Sequence, residues 1–290
     1  SNGKAIAWDG ITDSIFKKEF QERSSLIFAD LWTSLKQISN IHFESRLIPL
    51  NKLHPNIPSR KDLRPIIVTS PIVKLIEAAL LPKLKDYLIK QLHPGQIGFV
   101  PGNGILVNIH RAIERIRKRT NIGQRCYGVF IDFSSAYNTI DHQILFRQLQ
   151  PIIGENNTQL IQALYSRMKI RLGKETVIPN QGVAQGSVIS PALFDIYAQS
   201  LLVKLEKEER INFEDLLAYA DDTLIICDSL EEVSRVIQSI RVWSDENNMK
   251  LNDKKSGIVE FTARQMRTKL NQTMYEGFPV CQEYKYLGLL

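Results

Sequence analysis

Apolar and polar positions alternate along this chain with two different periods, which divide it into short strands and longer helices. Strands are predicted where β-branched and aromatic residues run together, at 66–68, 127–131 and 170–177. The apolar runs 216–218 and 224–227 predict two further strands joined by a tight turn. Apolar residues at helical spacing predict helices over 13–38, 71–92, 141–149, 161–168, 190–208 and 230–247. This order predicts an α+β fold, without regular βαβ repetition.

The turn between the last two predicted strands carries two adjacent acids, Asp221 and Asp222. Two negative charges about 4 Å apart repel by roughly 4 kcal/mol at an effective dielectric of about 20. A divalent cation would remove this repulsion, which favours a metal site. Surface hairpins also use Asp-Asp turns freely, without any ligand. The two residues alone leave both interpretations open.

A third acid, Asp132, ends the predicted strand 127–131. If that strand pairs beside the hairpin, three carboxylates converge, which suits a pair of Mg²⁺ ions about 3.5–4 Å apart. The three cysteines have no CxxC spacing and no nearby histidine cluster, so zinc is not indicated. We interpret Cys126, Cys227 and Cys281 as buried apolar residues of a protein from a reducing compartment.

Charge and composition narrow the class of protein. The 290 residues are 43% hydrophobic and 23% charged, with a net charge of +6, as in a folded globular protein. Five basic residues lie between Arg111 and Arg119, which would suit phosphate binding. The alternative is a solvated helix face, because Glu114 and Lys118 form a favourable i,i+4 pair. We find neither a run of eighteen apolar residues nor a secretory leader, so no membrane association is predicted.

Eight short motifs occur along the chain, at 4–11, 64–66, 96–102, 132–137, 181–191, 219–222, 251–256 and 284–288. Together they resemble the reverse transcriptase domain of non-LTR retrotransposons and, more distantly, group II intron and telomerase reverse transcriptases. Each motif is weak alone, but they follow the family's order along nearly the whole chain. Two departures are Ala184, where the family often has proline, and Asn138, where it often has an acid.

The resemblance implies the fingers and palm of a right-hand polymerase. Fingers are expected at 1–105 and 147–180, and the palm at 106–146 and 181–290, with an antiparallel palm sheet backed by helices. A thumb is expected to be absent, so the chain would be a fragment or a reduced gene product that holds primer and template weakly. Family habit suggests a nuclear location, with an organelle as the alternative.

The resemblance also implies the catalytic groups. Asp132, Asp221 and Asp222 would hold two Mg²⁺ ions, or Mn²⁺ as a substitute, with the backbone carbonyl of Phe133 as an additional ligand. In that mechanism one ion lowers the pKa of the primer 3′-hydroxyl and the other holds the triphosphate. Lys255 would protonate the leaving pyrophosphate, although its neighbour Lys254 makes the placement uncertain by one residue.

Further residues would bind the nucleotide and the primer. Arg64 and Lys52 would hold the triphosphate, and Tyr137 would exclude a ribose 2′-hydroxyl. Gln185 and Gly186 would approach the base or sugar. The alternatives are surface charge for the two basic residues, a core position for the tyrosine, and an ordinary strand-to-helix turn for Gln185 and Gly186. The primer grip would comprise Tyr284, Lys285, Tyr286, Leu287 and Gly288. The alternative for this segment is an aromatic strand that serves only packing.

The sequence therefore predicts an RNA-directed DNA polymerase that adds deoxynucleoside triphosphates to a primer 3′-hydroxyl. Its partners would be an RNA template, a DNA or RNA primer and dNTP, and its oligomeric state stays open. The alternative is a catalytically weak RNA-binding or maturation module of the same fold. An RNA-dependent RNA polymerase is disfavoured by Tyr137 and by Ala220, where such enzymes usually carry glycine.

Overall fold

The computed structural model describes residues 43–59, 63–263 and 272–288. The chain forms two compact units. Of the described residues, one unit contains those up to Leu84 and Asp141–Leu193, and the other contains Lys85–Ile140 and those from Phe194 onward. The predicted helix over 13–38 and the motif at 4–11 lie outside the described residues.

Ten strands and seven helices are described in these parts of the chain. The strands are β1 (Phe43–Asn51), β2 (Leu63–Val68), β3 (Cys126–Ile131), β4 (Met168–Leu172), β5 (Glu175–Val177), β6 (Leu216–Tyr219), β7 (Asp222–Cys227), β8 (Gly257–Phe261), β9 (Met274–Tyr275) and β10 (Phe278–Cys281). The helices are α1 (Pro71–Lys90), α2 (Ile105–Thr120), α3 (Ala136–Thr139), α4 (His142–Ile153), α5 (Glu155–Arg167), α6 (Ser190–Lys207) and α7 (Leu230–Glu246). The predicted mixture of helices and strands is confirmed.

The first unit contains a four-stranded sheet in the order β2-β1-β4-β5. β1 pairs antiparallel with β2 and parallel with β4, and β4 pairs antiparallel with β5. The prediction of a single strand over 170–177 is wrong, because the chain reverses between Leu172 and Glu175. Gly173 has φ +62°, a backbone conformation that glycine adopts without a steric cost.

The second unit contains a six-stranded sheet in the order β6-β7-β3-β8-β10-β9. Central strand β3 pairs antiparallel with β7 and β8, and all six of its residues are buried. An apolar run without alternation is typical of such a strand, since both of its faces are covered. The expected antiparallel pairing is found among β6, β7, β3 and β8, whereas β10 runs parallel to β8. The intervening chain is long enough for the crossover that parallel strands need.

Helix α2 packs on one face of this sheet and carries the basic residues singled out in the sequence. Arg115 and Arg119 both donate to the buried carboxylate of Asp215, at 2.8 and 2.9 Å. These two arginines therefore form internal ion pairs and are not available to bind phosphate. Arg117 and Lys118 remain exposed. Among the described helices, none combines the length and the low charge that crossing a bilayer would require.

Candidate active site

Pairing between β3 and β7 brings two of the predicted acids together. Ile131 is the register partner of Thr223 in this antiparallel pair. Asp132 and Asp222 are the next residue on each side, so they face each other at the same end of the ladder. The sheet thus joins residues that are far apart in the sequence.

The hairpin between β6 and β7 places the third acid at the same end. Tyr219 pairs with Asp222, which leaves Ala220 and Asp221 as the two-residue turn. Ala220 has φ +55°, a left-handed conformation that is uncommon outside glycine. This part of the chain therefore needs support from its surroundings.

Gln96 supplies that support. Its side-chain amide donates to the carbonyl of Ala220 and accepts from the Ala220 amide, both at 3.0 Å. Gly98 lies so close that a Cβ atom on it would fall 2.3 Å from the Ala220 nitrogen. The sequence assigns these residues only by resemblance, and the structure shows that they hold the acidic turn.

The three carboxylates lie close enough for their charges to interact. The pKa of Asp222 is raised to about 6, first by burial and then by the charges of Asp221 and Asp132. Like charges in one place disfavour ionisation of each other. A cation placed among them would reverse this effect.

Asp132 is held by the segment that follows α7. The side-chain amide of Asn252 donates to Asp132 Oδ2 at 2.8 Å, and the Asp132 amide donates to Ser256 Oγ at 3.1 Å. Lys254 and Lys255 occupy the exposed turn between these two contacts. Both lysines therefore lie close to the residues that hold Asp132, and the choice between them as general acid stays a prediction.

Phe133 contributes a backbone carbonyl next to the acids. Its bridge to Leu251 is formed by hydrogen bonds from the flanking residues, in which Asp132 O accepts from Asn252 N and Ser134 N donates to Lys250 O. That pattern leaves the Phe133 carbonyl outside the bridge. The Phe133 ring lies 5.8 Å from the Trp243 ring, which fixes this residue beneath the turn.

These donors fit a hard divalent cation. All of them are oxygens, and three are carboxylates, which is the chemistry that Mg²⁺ prefers. Across the described ranges, no group of three or more His, Cys, Asp or Glu side chains is already drawn together at metal-binding distances.

Tyr137 lies on the same side of the sheet as the acids. Its ring stacks on Phe194, with centroids 4.7 Å apart and an interplanar angle of 7°. Its pKa is raised by burial and by the charges of Asp195 and Asp221. The tyrosine is therefore half-buried, with its ring orientation fixed by packing.

In the first unit, the predicted nucleotide-binding residues gather around β2. Ile67 N donates to Gln185 O at 2.7 Å, and a Cβ atom on Gly186 would lie 2.7 Å from Ile67 O. Arg64 is exposed on the same strand. Lys52, also exposed, follows the last residue of β1, which pairs with the first residue of β2. The four residues lie in one unit, the two basic ones at the start of β2 and the other two beside Ile67 near its end.

Comparison with known proteins decides the family. The profile described as reverse transcriptase (RNA-dependent DNA polymerase) matches residues 52–290. The chain belongs to the reverse transcriptase family. The resemblance drawn from the motifs is confirmed.

Two relatives and one solved structure illustrate the similarity. A probable RNA-directed DNA polymerase from transposon BS of Drosophila melanogaster is 24% identical over 94% of this chain and 32% of its own length. The Pol polyprotein of the type-1 retrotransposable element R2 of Popillia japonica is 28% identical over 69% of this chain and 30% of its own. Telomerase from Candida tropicalis, solved in complex with a fragment of telomeric RNA, superposes with a TM-score of 0.59 at 14% identity.

The matched region makes up most of this chain but less than half of each of these proteins. The solved telomerase is matched over 91% of this chain and 47% of that chain. The reverse transcriptase chain spans about a third of the length of the two curated relatives. At this identity, the structural likeness shows a shared fold.

One buried acid of this reverse transcriptase escapes the sequence analysis. Asp195 lies on α6, is 0% exposed, and neither carboxylate oxygen has a hydrogen-bond partner among the described residues. Its pKa is raised well above the usual range by burial and by the charge of Asp221. The available signal is a lone acid inside the apolar stretch 192–197. Such a group is rare in a core and marks a functional region.

A second acid that escapes the sequence analysis shapes the loop at Gln185. Glu77 Oε1 accepts from Ser187 Oγ at 2.7 Å, and Glu77 Oε2 accepts from Val188 N at 3.0 Å. Burial raises the pKa of Glu77. Both carboxylate oxygens hold the chain just after Gly186, so Glu77 is a positioning residue for that loop.

The predicted primer grip packs against the second sheet. Tyr284 stacks on Phe130 with centroids 4.2 Å apart, and Tyr286 OH donates to Leu217 O at 3.1 Å. This segment follows the β9–β10 hairpin, and within it Tyr286 forms a single β-bridge while Leu287 and Gly288 form a turn. Packing of the aromatic rings accounts for its position. Lys285 and Gly288 are exposed, Leu287 is partly exposed, and a contact with primer stays a prediction.

Proposed function

We propose that this chain carries the catalytic part of an RNA-directed DNA polymerase, which joins a deoxynucleoside triphosphate to a primer 3′-hydroxyl on an RNA template. The main support is the convergence of Asp132, Asp221 and Asp222 at one end of the second sheet, where their charges raise the pKa of Asp222. Gathering like charges costs free energy, and a bound cation would offset that cost.

Asp132, Asp221, Asp222 and the carbonyl of Phe133 would hold two Mg²⁺ ions, with Mn²⁺ as a substitute. When bound, the ions would activate the primer hydroxyl and neutralise charge on the phosphates. The hydrogen bonds from Gln96 to Ala220 and from Asn252 to Asp132 orient these ligands in advance. Such preorganisation lowers the cost of reaching the transition state.

The nucleotide would be selected by shape and by charge. The Tyr137 ring, fixed on Phe194, would leave no room for a ribose 2′-hydroxyl. Arg64 suits a triphosphate because its planar fork forms paired hydrogen bonds, and Lys52 adds a second positive charge. At Gly186, the absence of a side chain would let the base or sugar approach the backbone. Lys255 would protonate the leaving pyrophosphate.

We assign the six-stranded unit to the palm and the four-stranded unit to the fingers. The units divide after Leu84, Ile140 and Leu193, whereas the predicted fingers and palm divide at 105, 146 and 180. An RNA template and a DNA or RNA primer are the proposed partners, supported by the relatives' description as RNA-directed DNA polymerases. The nucleus is the proposed location.

Primer extension on an RNA template tests the proposal. Asp221→Asn should reduce Mg²⁺-dependent extension by about 10²–10³-fold, the loss typical of removing one group that stabilises a transition state. Asp245→Asn is the matched control, since this exposed acid lies on α7, outside the cluster. Wild-type protein that binds RNA but gives no Mg²⁺-dependent extension would instead support the RNA-binding or maturation module.

Substitution of Tyr137 tests nucleotide selection separately. Tyr137→Val should raise ribonucleotide incorporation relative to deoxynucleotide, because the smaller side chain opens space at the sugar. Competition between the two nucleotide classes in the same extension reaction measures this ratio. Unchanged sugar selectivity in an active Tyr137→Val enzyme would remove the assignment.

A further inference from the structure

The first unit contains a pocket that the proposed function does not use. It has a volume of about 630 Å³ and lies between α4, α5 and the segment 178–180. Typical sites for small ligands measure about 300–1,000 Å³. The pocket is therefore large enough for a planar ligand.

Three aromatic side chains form one wall of this pocket. His142 lies 5.5 Å from Phe146 and 4.9 Å from Tyr165, measured between ring centroids. Tyr165 is buried, whereas Phe146 and His142 are partly exposed and present ring surface to the opening. Aromatic rings of this kind stack on nucleobases and do so with little regard to sequence.

The remaining lining is uncharged and combines polar side chains with three apolar ones, Ala163, Ile178 and Pro179. Among the described residues that line the pocket, none is Asp, Glu, Lys or Arg. Amide groups of Gln159, Gln162 and Asn180 lie at its edge, and such groups hydrogen-bond the edges of bases. A charged ligand would find no counter-ion here, whereas a neutral base would find both stacking and hydrogen bonds. Exposed Arg147, next to Phe146, offers a cation for a flanking phosphate.

The pocket is attached to the loop that carries Gln185. His142 Nε2 donates to Gly182 O at 2.7 Å, and Asp141 forms a bridge with Gln181. The pocket wall and this loop thus share direct contacts within one unit.

We propose that this pocket binds an unpaired nucleobase of the single-stranded RNA template, beside the loop at 181–186. The inference rests on the proposed function, because it names a template subsite of the polymerase. In the proposed binding mode, one base of the RNA strand enters the pocket while the phosphates of the strand stay in solvent. A peptide or a small apolar molecule is the competing occupant.

Binding of a fluorescent single-stranded RNA, measured by anisotropy without Mg²⁺ or dNTP, tests the site. Phe146→Leu should weaken binding by about 5- to 10-fold, because leucine keeps apolar volume but cannot stack. Gln162→Ala, at an exposed position, should weaken it by about 2- to 5-fold. Phe213→Leu is the matched control, since this exposed phenylalanine lies in the second unit, and it should bind as wild type.

An abasic oligonucleotide of equal length separates base binding from other causes. Both pocket variants should bind it as wild type does, because it has no base to place. The proposal would be overturned if the variants lost as much affinity for the abasic strand as for RNA. It would also be overturned if both variants bound RNA with wild-type affinity, which is the result expected if a peptide occupies the pocket. The same sequence as DNA shows which kind of strand the site prefers.

The outcome is distinguishable from failure of the polymerase proposal. In the Asp221→Asn background, Phe146→Leu should weaken RNA binding by the same factor as in the wild type, since no catalysis is required. Extension activity combined with base-independent binding would overturn only the pocket. RNA binding through the pocket without extension would overturn only the catalytic role.

Discussion

Two groups of acids in the second unit show opposite solutions to the same electrostatic problem. Asp215 is 3% exposed, yet its pKa is lowered, because Arg115 and Arg119 donate hydrogen bonds to both carboxylate oxygens and outweigh the effect of burial. Asp222 as a whole residue is more exposed than Asp215, but its carboxyl group is partly shielded from water. This burial and the charges of Asp221 and Asp132 raise its pKa.

The difference lies in where the compensating charge comes from. Helix α2 brings guanidinium groups to Asp215, so the fold itself supplies the cations. At the other acids, neighbouring strands bring carboxylates together, and burial and the neighbouring charges raise the pKa of Asp222. The first arrangement contributes to stability, whereas the second is typical of a site that binds metal and gives up some stability for function.

Removing the compensated acid should have the largest effect on stability. Asp215→Asn leaves Arg115 and Arg119 without their buried counter-ion, so the free energy of unfolding should fall by about 3–5 kcal/mol. Denaturant unfolding measures this loss, with the exposed-acid variant Asp245→Asn as the control. A midpoint unchanged from wild type would show that the ion pairs do not stabilise the unit.

Loosening the acidic turn should have the next largest effect. Gln96→Leu removes both hydrogen bonds to Ala220 and leaves its buried backbone groups unpaired, which costs about 2 kcal/mol. Primer extension should fall with stability, because the turn carries Asp221. Exposed Gln91→Leu serves as the control. Wild-type stability and extension in Gln96→Leu would contradict the role of this amide.

A divalent cation should stabilise the folded protein through the cluster of Asp132, Asp221 and Asp222, and it should have no such effect at Asp215. Mg²⁺ at ten times its dissociation constant should raise the free energy of unfolding by about 1.4 kcal/mol in the wild type. Thermal unfolding with and without Mg²⁺ should show a smaller gain in Asp222→Asn. An equal gain in both proteins would place the binding site elsewhere.

The pH dependence without divalent cation should show the smallest effect. Because the pKa of Asp222 is raised to about 6 in the folded state, its carboxyl group keeps a proton at pH 4–6, whereas the unfolded state releases that proton. The resulting stabilisation is present at low pH and is lost as pH rises through about 6. Asp222→Asn should therefore gain stability relative to wild type by about 1 kcal/mol between pH 4 and 7, a figure reduced for solvent screening. A difference independent of pH would contradict the shared charge.

Local signals in the sequence predict several elements well. The helix expected from 141 begins at His142, because the side chain of Asp141 accepts hydrogen bonds from the first turn. The strand pair around Tyr219–Asp222 follows from its apolar runs and turn residues. Such features depend on neighbours in the chain, so a pattern reveals them.

Other features cannot be predicted in this way because they depend on distant residues. The sequence leaves the basic face of α2 open between phosphate binding and a solvated face, but Arg115 pairs with Asp215, 100 positions further along. Asp195 carries no signal beyond its apolar surroundings, since its closeness to Asp221 follows from packing. The parallel β8–β10 pair likewise depends on a crossover that no local pattern records.

The sequence by itself determined the order of strands and helices, the reverse transcriptase motifs and the identity of the three acids. Residue type and local spacing are sufficient for these, because they reflect short-range geometry and family-specific chemistry. Only the tertiary structure decided which acid pairs with arginines and which acids lie beside other acids. That choice depends on distances between side chains from separate strands and helices, and charge interactions depend on distance and burial in space, whatever the separation along the chain.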